Sequence, residues 1–299
     1  MTYSIVVRDE RTGHMGVACQ SQAFAVGSSV PWAASGIGIV ATQSMGEPMY
    51  GSLGLDALQA GLSAAEAMRA LRSVDPFPER RQVAMVDSYG GFDVYTGEAC
   101  VAAAGHRVGR GCAALANMVV SADVWIAMVH AWETTDGPVA QRLMAALQAA
   151  EDEGGDFRGR RSAAIIVVQS ERTGRPWRDQ LVDLRVDDGP DPVGELGRLV
   201  ARSERYHRTV EAFDLAIGGD TDDALRILGE GLDPDPAGEP DVALWTAIVL
   251  ALSGRDADAA ALFRRIGRRR PEFVEAARRF DDVGLLPEPG RLRDLLPDA

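Results

Sequence analysis

The chain contains no lysine. All 31 of its basic residues are arginine, so no side-chain amine is present to serve as base, Schiff-base former or compact point charge. Cysteine is scarce. Cys19, Cys100 and Cys112 are too few for a disulfide framework and lack the paired spacing of a zinc site. The four histidines, His14, His106, His130 and His207, include no pair at two- or four-residue spacing, so no metal site is expected. Apolar runs such as Ala163–Val168 fall far short of the roughly 20 residues that cross a bilayer. The N-terminal stretch has no basic segment leading into an apolar one, so no signal peptide is expected. Positive charge is outweighed: the net charge is −13 and the pI about 4.8. That balance argues against nucleic acid and anionic membrane as partners. A reduced, cytoplasmic protein is the expectation.

What is present is an ordinary globular composition, 46% hydrophobic and 25% charged over 299 residues, enough for two domains. Strand-like runs occur at 3–8, 15–21, 36–43, 82–87, 91–96, 163–169 and 180–186. Gly90-Gly91 between two of them signals a hairpin turn. Helical periodicity occupies 53–60, 63–73, 122–133 and 138–152, and Ser63 followed by Glu66 has the spacing of a capping box. Paired helices alternating with hairpin strands suit two stacked antiparallel sheets with helices on both outer faces. A dinucleotide-binding reading fails for want of a strand–GxGxxG–helix unit.

Asp187-Asp188-Gly189-Pro190-Asp191-Pro192 breaks this pattern, and the expected domains are 1–189 and 190–299. The second is helical throughout. Gly219, Ala224, Leu228 and Pro236 recur 35 residues later as Gly254, Ala259, Phe263 and Pro271. This resembles a tetratricopeptide repeat with one residue inserted. Two repeats are short for a solenoid, so the tail is expected to lean on neighbouring structure, to pair protomers as a homo-oligomer, or to cap the site.

Chemistry enters at Thr2. Methionine before a small residue is normally trimmed in the cytosol, and removal of Met1 would leave a threonine that carries hydroxyl and α-amine on one residue. The amine, with a reference pKa of about 7.7–8.0, is a base for its own hydroxyl. Amide hydrolysis also needs donors for an oxyanion. Asn117, after Gly109 and Gly111 and before an apolar helix, fits either that role or a helix cap. Ser21 fits a partner that tunes the amine or a strand-end hydroxyl. On the Gly154–Gly159 loop, Asp156 is placed to orient the amine, and Arg158 and Arg160 either hold a substrate carboxylate or form a solvated salt-bridged loop. Gln43 is expected to line the same cleft. Cys19 reads as a buried small side chain.

Several words of the first 200 residues resemble a family of bacterial proteins catalogued as domain of unknown function 1028, DUF1028. They are Thr2-Tyr3-Ser4-Ile5-Val6, Gly16-Val17-Ala18-Cys19-Gln20-Ser21, Phe24-Ala25-Val26-Gly27, Val30-Pro31-Trp32, Val40-Ala41-Thr42-Gln43, Ala116-Asn117-Met118, Gly154-Gly155-Asp156 and Asp183-Leu184-Arg185-Val186-Asp187-Asp188. The family is grouped with the N-terminal-nucleophile (Ntn) hydrolases. The resemblance implies an α+β fold, a four-layer αββα sandwich of that type, followed here by a small all-α, tetratricopeptide-like domain. It places Thr2 at the nucleophile position. Gln20 stands nearest the supporting Asp of proteasome-type members, and their supporting Lys has no counterpart. The function expected is hydrolysis of a C–N amide bond in a small metabolite or short peptide, with catalytic Thr2, Ser21, Asn117 and Asp156, substrate-binding Gln43, Arg158 and Arg160, and no cofactor or metal. The alternative is a catalytically silent binding or assembly protein using its helical repeats. A third option is an internal nucleophile, Ser21 or Cys19.

Overall fold

A computed structural model describes residues 2–229 and 233–297. Met1, on whose removal the Thr2 chemistry depends, lies outside the described residues. The protein is α+β, with two antiparallel sheets followed by a helical region. Two compact units are present, Met1–Val200 and Ala201–Ala299.

The first sheet has six strands. They are β1 (Thr2–Arg8), β2 (Met15–Ser21), β7 (Gly105–Gly109), β8 (Cys112–Asn117), β9 (Ser162–Val168) and β10 (Gln180–Val186), in the order β10-β9-β2-β1-β8-β7. The second has four, in the order β3 (Pro31–Ala34), β4 (Gly38–Ser44), β5 (Arg81–Asp87) and β6 (Phe92–Thr96). Alternation along β1 divides its side chains. Tyr3, Ile5 and Val7 pack with helices α3 (Asp123–Thr134) and α4 (Val139–Asp152), whereas Val6 joins Val17, Cys19, Ile39, Ala41 and Ala84 between the sheets. Helices α1 (Met49–Gln59) and α2 (Ala64–Val74) cover the outer face of the second sheet through Tyr50, Leu58, Met68 and Leu71. Gly51 lets α1 sit directly on the Trp32 ring, where a Cβ would collide with it.

Three strands escape the sequence reading: β3, β7 and β8. β8 is instructive, because Cys112-Ala113-Ala114-Leu115-Ala116-Asn117 is buried at every position. A strand covered on both faces shows no alternation, and alanine has low strand preference. Its small side chains leave room for α3 on one face and the opposing sheet on the other. Asn117 therefore ends a central strand, not a glycine-rich approach to a helix. The Gly90 turn does join β5 to β6, with φ +90°, and Ser63 forms the capping box with Glu66.

The boundary between the units falls within α6 (Pro192–Gly218), which is followed by α7 (Thr221–Leu228), α8 (Pro240–Leu252), α9 (Asp256–Arg269) and α10 (Pro271–Asp282). Short α5 (Pro176–Asp179) precedes β10. In the second unit, Trp245 lies against Phe213 and Phe280, with ring centroids 4.6 and 5.5 Å away. The 35-residue recurrence is structural at three of its four positions. Gly219 and Gly254 both follow a helix with positive φ, +92° and +73°. Ala224 and Ala259 are fully buried, and Leu228 and Phe263 nearly so. The fourth differs: Pro271 opens α10, whereas Pro236 precedes α8, which opens on its own Pro240.

One buried ion pair braces the second sheet. Arg81 donates from Nε to Asp75 Oδ2 at 2.8 Å and from Nη2 to Oδ1 at 3.1 Å, and Tyr50 donates to the same carboxylate at 3.0 Å. Arg81 Nη1 also donates to the Met45 carbonyl at 2.6 Å. The pair thus ties together α1, the end of α2, β5 and the turn after β4. Arg81 beside Asp75 holds that carboxyl below its usual range. A depressed carboxyl stabilises the fold above its unfolded pKa and loses that contribution as pH falls through the folded value. Asp75→Asn is expected to lower stability by about 3–5 kcal/mol near pH 7, because it leaves the buried guanidinium without its charge partner. Below about pH 4 the variant should lose stability less steeply than the parent; chemical denaturation across pH checks both.

Candidate functional site

Strands from both sheets end together around Thr2. In the β1–β8 ladder Thr2 pairs directly with Asn117, and in the β1–β2 ladder Tyr3 pairs with Gln20, which brings Ser21 alongside Thr2. Because Ser4 and Val6 point between the sheets, Thr2 does too, as do Ser21 and Asn117 on their own strands. The Thr2 hydroxyl donates to Ser21 Oγ at 3.2 Å, and the same oxygen accepts the Ala23 N–H at 2.9 Å.

Beneath Thr2 three buried carboxamides join the sheets. Gln43 Nε2 on β4 donates to the Thr2 carbonyl (3.0 Å), the Leu115 carbonyl (3.2 Å) and Gln82 Oε1 (2.7 Å). Asn117 Nδ2 donates to Gln82 Oε1 (2.9 Å) and, at 3.4 Å, to the Thr2 carbonyl. Gln82 Nε2 on β5 donates to the Gly105 and Ala116 carbonyls (3.1 and 2.8 Å) and to Thr96 Oγ1 (3.0 Å). Ser4 completes the set by donating to Gln43 Oε1 at 2.5 Å. Every amide orientation is set by carbonyl acceptors, which a flipped amide would face with oxygen. Asn117 directs its donors at the Thr2 backbone and Gln82, while its Oδ1 is buried without a partner.

Thr2 opens onto a cavity of about 270 Å³, lined also by Phe24, Val26, Val30, Gln43, Pro48 and Arg158 among others. Its rim is strained. The three non-glycine residues with positive φ among the described residues are Ala25 (+51°), Ser44 (+73°) and Met118 (+53°). Ser44 is the last residue of β4, Met118 directly follows β8, and Ala25 stands four residues after β2, the strands that deliver Gln43, Asn117 and Ser21. Left-handed backbone at residues with a Cβ costs about 1–3 kcal/mol each and concentrates at functional sites.

The remaining expected residues divide. Asp156 is buried, and its carboxylate accepts N–H groups from Gln22 (3.1 Å) and Arg158 (2.8 Å) and the Arg158 Nη2 at 3.3 Å. It holds Arg158 at the cavity and binds the two loops together. Arg160 is not among the cavity-lining residues; it pairs with Glu151 at 2.9 Å and Asp191 at 3.5 Å. Gln20 points to the helix side of the sheet with Tyr3, away from Thr2, and both its side-chain polar atoms are buried without partners. Cys19 lies between the sheets, where burial pushes its thiol up to about 12. It stays protonated near neutral pH and is a poor nucleophile. Burial, then Glu151, likewise raises the Tyr3 hydroxyl well above its ordinary value.

The model for a family of unknown function, DUF1028, matches residues 2–196. The chain belongs to the DUF1028 family. A crystal structure of protein SPO2555 from Silicibacter pomeroyi, a DUF1028 protein, aligns at a TM-score of 0.61 with 29% identity, covering 68% of this chain and 88% of that one. No functionally curated protein matches. Within this DUF1028 chain no cluster of three or more His, Cys, Asp or Glu side chains among the described residues is arranged to hold a metal ion. No described helix is long and apolar enough to cross a membrane.

Gln82 carries one weak signal in the sequence, a polar residue opening an apolar strand, and is not among the residues expected from the sequence. Its donors face two carbonyls, so a carboxylate there is worse than a hydrocarbon. Gln82→Glu is expected to lower stability by at least about 2 kcal/mol at pH 7. A buried Glu has a raised folded pKa, so this variant should regain stability as pH falls from 7 towards 4, which the parent should not. Thermal melts at the two pH values test it.

Proposed function

We propose that the first unit is an amide hydrolase of the N-terminal-nucleophile type, acting on a C–N bond of a small metabolite or short peptide. The observation that carries this reading is Thr2, which lines a cavity from the first residue of β1 and whose hydroxyl is hydrogen-bonded to Ser21. In this reading the two facing sheets with a helix pair on each outer face form the αββα sandwich of that class, and cytoplasmic removal of Met1 frees the Thr2 amine. Thr2 Oγ1 then adds to the substrate carbonyl carbon while its proton passes to the α-amine, directly or through one water. The C–N bond breaks and the leaving amine takes that proton. Water hydrolyses the resulting threonyl ester, releasing the acid and restoring hydroxyl and amine. Ser21 orients the hydroxyl. Gln43 and Asn117 donate to the Thr2 carbonyl and Gln82 accepts from both, so the nucleophile meets its substrate with little freedom to lose. The second unit, with its 35-residue recurrence, is read as tetratricopeptide-like.

A second reading, a catalytically silent binding or assembly protein, is favoured by one observation: among the described residues the only ionisable side chain lining the cavity is that of Arg158, and a guanidinium is no base.

Intact mass of the protein from its native cytosol is expected to be one methionine short. On an amide substrate, Thr2→Ala should then lower turnover by at least about a thousandfold, and kcat/KM should rise as pH passes through about 7–8 and the amine loses its proton. Retained methionine, or an alanine variant that keeps its turnover, would rule the mechanism out.

A further inference from the structure

The lining of the Thr2 cavity is two-sided. Ala23, Phe24, Val26, Val30 and Pro48 present carbon, and among the described residues Arg158 is the one lining residue with a charged side chain. At about 270 Å³ the space lies below the roughly 300–1,000 Å³ of sites for drug-sized ligands, so it suits an acyl group or side chain of a few carbons.

Arg158 is a built feature of this wall. Asp156, whose side chain is fully buried, accepts both the backbone N–H and Nη2 of Arg158. Through the Gln22 N–H it also pins the guanidinium's loop to the segment that supplies Ala23, Phe24 and Val26. The cation and the apolar wall are therefore held in one frame. A guanidinium is a planar fork of N–H donors that matches a carboxylate. It stands here in a chain of net charge −13, whose overall field disfavours polyanions while leaving a small monoanion to be captured locally.

We propose that the site takes small monoanionic amides of the N-acyl amino acid class, with an apolar group against Val26, Val30 and Pro48 and the carboxylate on Arg158. The inference rests on the hydrolase reading for its chemistry. Water adds across the amide, hydroxyl to the acyl carbon and hydrogen to nitrogen, so that a carboxylic acid and a free amino acid leave.

The test uses the full chain carrying Thr2→Ala, so that ligand is bound and not consumed, titrated by calorimetry with N-acetyl-leucine and with its neutral counterpart N-acetyl-leucinamide. The acid is expected to bind at least about tenfold more tightly than the amide, as a charge-assisted pair implies. Adding Arg158→Gln should erase that difference, the acid losing at least about tenfold more affinity than the amide. Equal affinities, no measurable binding of either compound, or a preference that survives Arg158→Gln would overturn the assignment. The Thr2-bearing protein separates the two readings. Equal turnover of acid and amide overturns this ligand class and spares the hydrolase. Arg158-dependent selectivity in binding, without turnover, supports the ligand class and overturns the hydrolase.

Discussion

Gln82 Oε1 is the point on which the site hangs. A single carbonyl oxygen, buried between the sheets, accepts one amide hydrogen from Gln43 of its own sheet and one from Asn117 of the other. Both donors also reach the Thr2 carbonyl. Apolar packing between the sheets is non-directional and would tolerate small slides. A shared acceptor with oriented donors would not, because each misplacement leaves a buried polar group unpaired. The register of one sheet against the other is thus specified at Thr2 itself, and the neutrality of three carboxamides makes it insensitive to pH.

Around that fixed point the chain accepts strain. Ala25, Ser44 and Met118 adopt left-handed backbone where three strands turn away from the cavity. The turn after Ser44 is braced from below, since Arg81 holds the Met45 carbonyl and is itself held by Asp75. Asp156 does the same for the loops that carry Phe24 and Arg158. Ion pairs secure the periphery and amides secure the centre, an arrangement consistent with stability and positioning being assigned to different groups.

Much of the fold was legible from the sequence, and for identifiable reasons. Strands with one polar face, such as β6, and helices with marked stripes, such as α2, announce themselves by period. β8 did not, because burial on both faces removes the alternation that betrays a strand. With it went the true setting of Asn117, whose partners lie 35 and 115 residues away. Thr2, Ser21, Gln43, Asn117, Asp156 and Arg158 do gather at one end of the sheets. Arg160 does not line the cavity, and Gln20 faces the opposite side of its strand, an outcome set by one step of the pleat. Gln82 and Asp75 were missed because their importance comes from what folds against them, and no local spacing records that.

The lysine-free composition has a chemical consequence at Thr2. With lysine absent from the sequence, none of its side chains carries a primary amine. In the proposed mechanism an α-amine freed by removal of Met1 would sit on Thr2, a residue that lines the cavity. An electrophile selective for amines, an activated ester or an aldehyde for instance, would then meet no competing side-chain amine in this sequence. On that reading the terminus becomes an address for covalent tagging, and a probe attached there would report from beside the cavity that Thr2 lines.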